Sequence, residues 1–438
     1  MTPEDREALP PTSDPAPQSR NEFRVHHWRD PAIVGVALVA IAVGFGQFGL
    51  TATLGNVARH FGHLAHGTTI SDQAGLSGTR LGLGLAAVRL ASLGGMPLAG
   101  LADHLGRRRV LLLACGIGLA ATAASAAAPN YWWFVVVFAL GRPFLSAASA
   151  LAQVEAAEQT GSAQRAAAVA LVAAGYAVGA GATAVIYGLA GNALGYRGIL
   201  VLALAPLVGL PFAARWVTEP DRFVRAANIQ RQRQPVLGAV ARPYRARLAL
   251  VVTLAFSLGV ITGPANTFVF LYAQNVHGFS GIADSALVVG AGVLGLGGLL
   301  TGRWLADRVG RKPTAMGAMA GIGVFGILCY SGSQVALVVG YLLGIAAGGV
   351  IAPCAGAFVN ELFPTSVRAS VAGWNVAGSV LGAVAGLLAF GAVADVANRF
   401  GPAALVTFLP AMALSVLFLF LPETRGHEPE WFWPDATT

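Results

Sequence analysis

The chain has 438 residues, of which 55% are hydrophobic and only 11% charged. Soluble proteins carry roughly 25% charged residues, so a water-covered exterior is excluded and one facing lipid is called for. The formal net charge of +8 is carried almost wholly by arginine, with Lys312 the single lysine, and the cations sit in short turns between apolar segments. That pattern fits membrane topology rather than a nucleic-acid surface.

Residues 1–30 are rich in proline and charge and read as a cytoplasmic N-terminal tail, with no cleavable signal pattern. Apolar runs of spanning length follow at 31–54, 79–101, 109–128, 131–154, 165–190 and 197–217, which predicts an N-terminal six-helix bundle over 31–217. A basic connector, 218–247, contains Arg222, Arg225, Arg231, Arg233, Arg242 and Arg245. The second set of runs, 248–273, 284–306, 313–333, 335–360, 367–394 and 402–421, predicts a C-terminal bundle over 248–421, and 422–438 forms a cytoplasmic C-terminal tail. The expected fold is an all-α membrane protein of 12 transmembrane helices in two pseudo-symmetric six-helix bundles.

Orientation follows from arginine. Arg20, Arg24 and Arg29 precede the first span, Arg107, Arg108 and Arg109 follow the second, and the connector, Arg308, Arg311, Lys312, Arg368 and Arg425 fall on that same side. Cations are retained in the cytoplasm, so both termini and the connector are expected there, with the chain in the inner (plasma) membrane. Cys115, Cys329 and Cys354 lie in apolar stretches without metal-ligand spacing and read as packed thiols. His60, His63 and His66, in an outer loop, read as solvated rather than metal-binding.

An internal repeat organises the chain. Asp103 and Asp307 are 204 residues apart, as are Glu219 and Glu423, while Glu158 with Glu361 and Arg165 with Arg368 are 203 apart. Landmarks at nearly one offset mean a parallel duplication of a six-helix unit. Such a duplicated unit moves a solute rather than transforming one, so no catalytic residue, cofactor or metal is expected. The Gly-rich runs follow no strand and contain no phosphate-binding GK[ST], which argues against a nucleotide site.

The turn Leu101-Ala-Asp-His-Leu-Gly-Arg-Arg-Arg109 and its copy Leu305-Ala-Asp-Arg-Val-Gly-Arg-Lys312 resemble the signature turn of the major facilitator superfamily. Asn360-Glu-Leu-Phe-Pro-Thr-Ser-Val-Arg368 and Leu421-Pro-Glu-Thr-Arg-Gly426 further resemble the sugar-porter and metabolite:proton symporter branches. The resemblance implies a gating set of Asp103, Gly106, Arg107, Glu158, Arg165, Glu219, Asp307, Gly310, Arg311, Glu361, Arg368 and Glu423, whose contacts close the cytoplasmic side and break as the halves rock. It also implies that span 5, with Gly175 and Gly179, and span 11, with Gly378, Gly382 and Gly386, lie along the interface between halves. Where the family's turn usually has an earlier glycine, this chain has Ala99 and Arg303, so the second turn is expected to pack less tightly.

Charges deep in a span are costly and are functional candidates. Arg89 and Arg142 lie halfway through spans 2 and 4, with no acid at comparable depth in either. Their partner is therefore expected to be the substrate, an organic anion, with structural or proton-relay roles as the alternative. Gln47, Tyr176, Asn266 beside a Gly263-Pro264 break, Trp374 and Asn375 are further candidates for a central cavity, or for interhelical hydrogen bonds. The aspartate that proton symporters of this superfamily place in span 1 is missing from Phe45-Gly-Gln-Phe48, which leaves Glu155 as the nearest acidic candidate. By the repeat offset Arg89 corresponds to Val293, so substrate preference is expected mainly in the first half. The expected protein is a monomeric secondary transporter of a small organic solute in a lipid bilayer, with protons as a candidate coupling ion and no nucleic-acid partner. The alternative is a proton-coupled exporter of drug-like or secondary-metabolite compounds.

Overall fold

A computed structural model describes residues 27–65, 67, 69–161, 164–219, 242–426 and 429–432. The tail before residue 27 and most of the connector lie outside these residues. Among the described residues, 12 helices are long and apolar enough to cross a membrane. They are α1 (Pro31–Phe61), α2 (Gly78–Ala102), α3 (Arg107–Ala127), α4 (Tyr131–Gln159), α5 (Ala167–Gly191), α6 (Ala193–Ala214), α7 (Arg242–Val276), α8 (Gly281–Arg308), α9 (Arg311–Cys329), α10 (Gln334–Glu361), α11 (Val367–Ala397) and α12 (Phe400–Phe420). Leu140, Leu189, Val208, Leu300 and Phe420 stand exposed around the outside. Apolar surface of that extent has lipid as its natural solvent. The ends of the bundle carrying the chain termini and the connector are called the terminal side below, and the opposite ends the far side.

The duplication is visible in how each half packs its first helix on its fifth. A Cβ built on Gly179 of α5 would lie 1.9 Å from the carbonyl oxygen of Ile41 on α1. One built on Gly382 of α11 would lie 1.9 Å from that of Phe256 on α7. Gly175 and Gly378 repeat the contact one turn earlier, against the carbonyls of Ala37 and Val252. Only glycine lets these backbones meet, which is how helices gain packing energy in lipid. The glycine stripes therefore hold each half together and do not form the interface between halves. That interface is made elsewhere on the same helices: Gly188 of α5 meets Gly281 of α8, and Gly391 of α11 meets Gly78 of α2.

Two further expectations change. The helix from Arg245 to Leu271 runs unbroken through Pro264, with the Thr267 hydroxyl donating to the Gly263 carbonyl at 2.7 Å. The break falls in α2 instead, where a 3-10 turn, Ser92–Gly94, begins three residues after Arg89. The second signature turn is also not the looser one. Arg303 is exposed, and Gly302 beside it makes the close approach, its built Cβ lying 2.3 Å from the Val350 carbonyl on α10. Helix α1 runs on past its apolar run to Phe61, because Arg59 finds partners across the molecule at Asn275 and the Gln274 carbonyl.

Candidate functional site

A cavity of ≈ 260 Å³ lies between the halves, and Gln47, Arg89, Arg142, Tyr176 and Asn266 all line it. Five helices supply these groups: α1, α2, α4, α5 and α7. Phe138, Leu85, Val88 and Leu387 complete an apolar wall. The Tyr176 hydroxyl donates to Gln47 Oε1 at 3.2 Å, and Gln47 Nε2 donates to the Leu145 carbonyl at 3.0 Å, so the amide is fixed from both ends. Neither guanidinium has such support. The Nε atoms of Arg89 and Arg142 are buried without a hydrogen-bond partner, and the Tyr176 phenol is an electrostatic neighbour of both. The cationic side chains of the cavity therefore both come from the first half, on α2 and α4.

Trp374 and Asn375 do not line this cavity. Asn375 faces a smaller space inside the second half with Met319, Phe358 and Phe418, while Trp374 is 37% exposed on the neighbouring position of α11. The α11 residue that reaches the central cavity is Leu387, three turns further along. Thr51, Thr262 and Thr267 also line the cavity, and a threonine in a span gave no sign of this. Asn266 is exposed to the cavity, at the position expected for it on α7.

The gating residues form two matching cages on the terminal side. Glu219 accepts from the backbone N–H of Arg107 (2.5 Å) and Arg108 (3.2 Å), at the start of α3. Glu423 does the same for Arg311 (2.9 Å) and Lys312 (3.0 Å), at the start of α9. Each carboxylate thereby meets unpaired N–H groups and the positive end of a helix dipole. The Arg107 side chain pairs with Glu158, and that of Arg311 with Glu361. Arg165 donates to the Ala157 carbonyl at 3.0 Å and Arg368 to the Phe363 carbonyl at 3.4 Å, each near a helix C-terminus. Gly106 and Gly310 turn the chain with φ of 96° and 120°, which glycine adopts without strain. Asp307 is exposed, and the Asp103 side chain lies outside the described residues.

The far side carries a set of bonds that join one half to the other. The Asp395 carboxylate of α11 accepts from Gly78 N (2.6 Å), Thr79 N (2.8 Å) and the Thr79 hydroxyl (2.6 Å), at the start of α2. Gln274 and Asn275 of α7 bond to the Ala52 and Gly55 carbonyls of α1, and Ser285 of α8 to the Ala184 carbonyl of α5. Beneath them Asp284 is 3% exposed, with no hydrogen bond of good geometry to either carboxylate oxygen and with the Gln274 amide, Arg59 and Tyr187 as its neighbours. The sequence reading singled out neither aspartate. Of the histidines, His60 lies 3.4 Å from Arg197 Nη2, and His66 is outside the described residues.

The family model for the Major Facilitator Superfamily matches residues 36–305 and 293–435. The chain belongs to the major facilitator superfamily. It is similar to a probable 4-methylmuconolactone transporter of Cupriavidus pinatubonensis, at 28% identity over 80% of this chain and 84% of that one. Among solved structures it resembles the inward-open xylose transporter XylE of E. coli, with a TM-score of 0.69 and 17% identity over 91% of this chain and 98% of that one. The nucleoside transporter NupG fits with a TM-score of 0.68 and 17% identity, over 89% of this chain and 98% of that one. The protein is a polytopic membrane transporter and not an enzyme.

Proposed function

We propose that this transporter moves a small organic anion by alternating access, with Arg89 and Arg142 as the anion-binding pair and Gln47, Tyr176 and Asn266 orienting the rest of the solute. The observation that carries the reading is the pair of buried, unpartnered guanidinium Nε atoms on one cavity wall. Half-buried guanidinium groups deep in a span, with Nε atoms that find no partner, favour an anionic counter-charge in the cavity. The relative that matches at 28% identity is named as a probable 4-methylmuconolactone transporter, which supports a small organic solute. The bundles 31–217 and 248–421 act as the two rocking bodies, and the far-side bonds leave the terminal side as the route to the cavity. The concentration of arginine at that side supports its being cytoplasmic, in the inner membrane.

A proton-coupled exporter of drug-like compounds remains the second reading, favoured by Asp284. A carboxyl group buried at a seam that opens and closes can exchange a proton at each turn of the cycle. Flux of radiolabelled benzoate into proteoliposomes, with and without a pH gradient, separates the readings. Saturable benzoate exchange that Arg142→Gln abolishes and Arg142→Lys partly retains supports the anion reading. Unchanged benzoate exchange in both Arg89→Gln and Arg142→Gln would refute it.

A further inference from the structure

A second cavity, ≈ 310 Å³, lies inside the second half between α7, α8, α9 and α10. It meets the central one at Thr262 and Asn266, which line both. Its wall is otherwise apolar, with Ile322, Ile345 and Tyr341 among glycines. The repeat explains how the two spaces are related. The 203-residue offset that links Glu158 to Glu361 also links Arg142 to Ile345 and Phe138 to Tyr341. The α1–α5 and α7–α11 glycine contacts set an offset of 215 for the first helices, since Ala37 and Ile41 stand where Val252 and Phe256 stand. At that offset Gln47 matches Thr262, and Thr51 matches Asn266. Both spaces are thus built from equivalent positions, and the guanidinium of one is replaced by a sec-butyl group in the other.

The glycines of α10 fall into two kinds. A Cβ on Gly340 would lie 2.5 Å from Cys329 N, and one on Gly349 would lie 2.3 Å from the Gly295 carbonyl, so these two serve helix packing. A Cβ on Gly348 would meet nothing within 4 Å, and one on Gly344 only Phe325 Cβ at 3.8 Å. No helix contact requires glycine at these two positions, and both line the cavity. What their missing side chains supply is room. An apolar cavity of ~150 Å³ already accepts a benzene ring, so this one has space for a six-membered ring and a substituent.

We propose that the solute is an amphipathic monocarboxylate. Its carboxylate lies against Arg89 and Arg142, and its ring-sized apolar body extends along the face of α7 that carries Thr262 and Asn266 into the cavity bounded by Ile345, Gly344 and Gly348. This rests on the anion reading above and adds the half of the solute that the cations do not see. Selectivity against sugars and compact anions then comes from the second half: a sugar would bury hydroxyls against an apolar wall, and acetate would leave the wall empty.

The test is binding of acetate and cyclohexanecarboxylate to the purified full-length protein, by isothermal titration calorimetry at one pH. Wild type is expected to bind cyclohexanecarboxylate at least tenfold more tightly than acetate. Gly348→Leu, which fills the cavity, is expected to bring the two within about threefold by weakening only the larger ligand. Ile345→Thr, which enlarges the cavity by about a methylene and puts a hydroxyl on its wall, is expected to narrow the gap in the same direction by weakening the apolar contact, and it guards against a folding defect in the leucine variant. Arg142→Gln is expected to weaken both ligands together. Equal affinities in wild type, or a preference untouched by both cavity variants while Arg142→Gln weakens binding, would overturn this proposal and leave the anion reading standing. Binding of both carboxylates unaffected by Arg142→Gln would overturn the anion reading itself, and this inference with it.

Discussion

The far-side contact between Asp395 and the start of α2 gives a quantitative handle on the transport cycle. Asp395 belongs to the second half, and the N–H groups of Gly78 and Thr79 to the first, so the contact exists only while the far sides are together. Replacing a side-chain cap by alanine costs about 0.5–2 kcal/mol, and the charge of a carboxylate at a helix N-terminus contributes about 0.3–1 kcal/mol more. Ser77 still accepts from Arg80 N in the variant, so the helix start is only partly uncapped and α2 remains folded. Asp395→Ala is therefore expected to disfavour the far-side-closed state by about 1–3 kcal/mol, a shift of roughly 5–150-fold in its population. Asp395→Asn keeps an acceptor and loses the charge, so its shift is smaller. Spin labels on Trp132→Cys and Val335→Cys read the far-side separation, since both positions are exposed at the far-side ends of α4 and α10. Cys115, Cys329 and Cys354 are buried, which limits background labelling. A longer distance should grow in from wild type through Asp395→Asn to Asp395→Ala, and affinity for far-side solute should rise with it. A distance distribution identical in all three proteins would refute the latch.

Gly382→Ala is expected to lower the unfolding temperature in detergent, because its Cβ would lie 1.9 Å from the Phe256 carbonyl and α11 must back away from α7. Overpacking of this kind costs about 1–3 kcal/mol. Gly181→Ala, with nothing within 4 Å, serves as the control and should leave the melting curve unchanged. Glu423→Gln should destabilise more than Glu219→Gln in the same assay. Glu423 accepts from four backbone N–H groups, of Arg311, Lys312, Thr424 and Arg425, whereas Glu219 serves Arg107 and Arg108. On the proton-coupled reading, Asp284→Asn replaces a buried carboxyl by a neutral group of the same shape, and should preserve solute exchange while abolishing the response to a pH gradient. Gradient-driven flux equal to wild type would remove Asp284 from the coupling step.

What the sequence disclosed and what it withheld divide along a physical line. That Arg89 and Arg142 line the central cavity was legible because a guanidinium inside an apolar span must face the bundle interior or a water-filled space. The cages around Glu219 and Glu423 were legible because they recur at a fixed offset beside turns with glycine. Asn375 and Trp374 were misplaced because hydropathy gives the depth of a residue in a helix and not the rotation of that helix about its axis. The glycine stripes announced close contacts without naming the partner, and the partner of Gly382 proved to be α7 of its own half. Asp284 and Asp395 escaped notice for a different reason. An acid in the first turn of α8, or near the end of α11, reads as an ordinary helix-end residue. Only the fold brings Tyr187 and Arg59 over the first, and the start of α2 against the second.

The duplication itself separates mechanics from recognition. Positions that hold each half together or shape its terminal-side turn are matched: Gly179 with Gly382 on the packing faces, Glu158 with Glu361 and Glu219 with Glu423 in the cages. Positions that line the two cavities, which we propose meet the solute, differ in polarity while holding their place, Arg142 against Ile345 and Gln47 against Thr262. A matched pair of arginines would hold a dianion symmetrically, and a matched pair of apolar walls would leave no anchor. One cationic wall facing one apolar wall orients a solute along the line joining the halves, so each end of the solute is gripped by a different rocking body. Such a solute bridges the two bodies only when both close upon it, and its binding energy is then available to drive the rocking step.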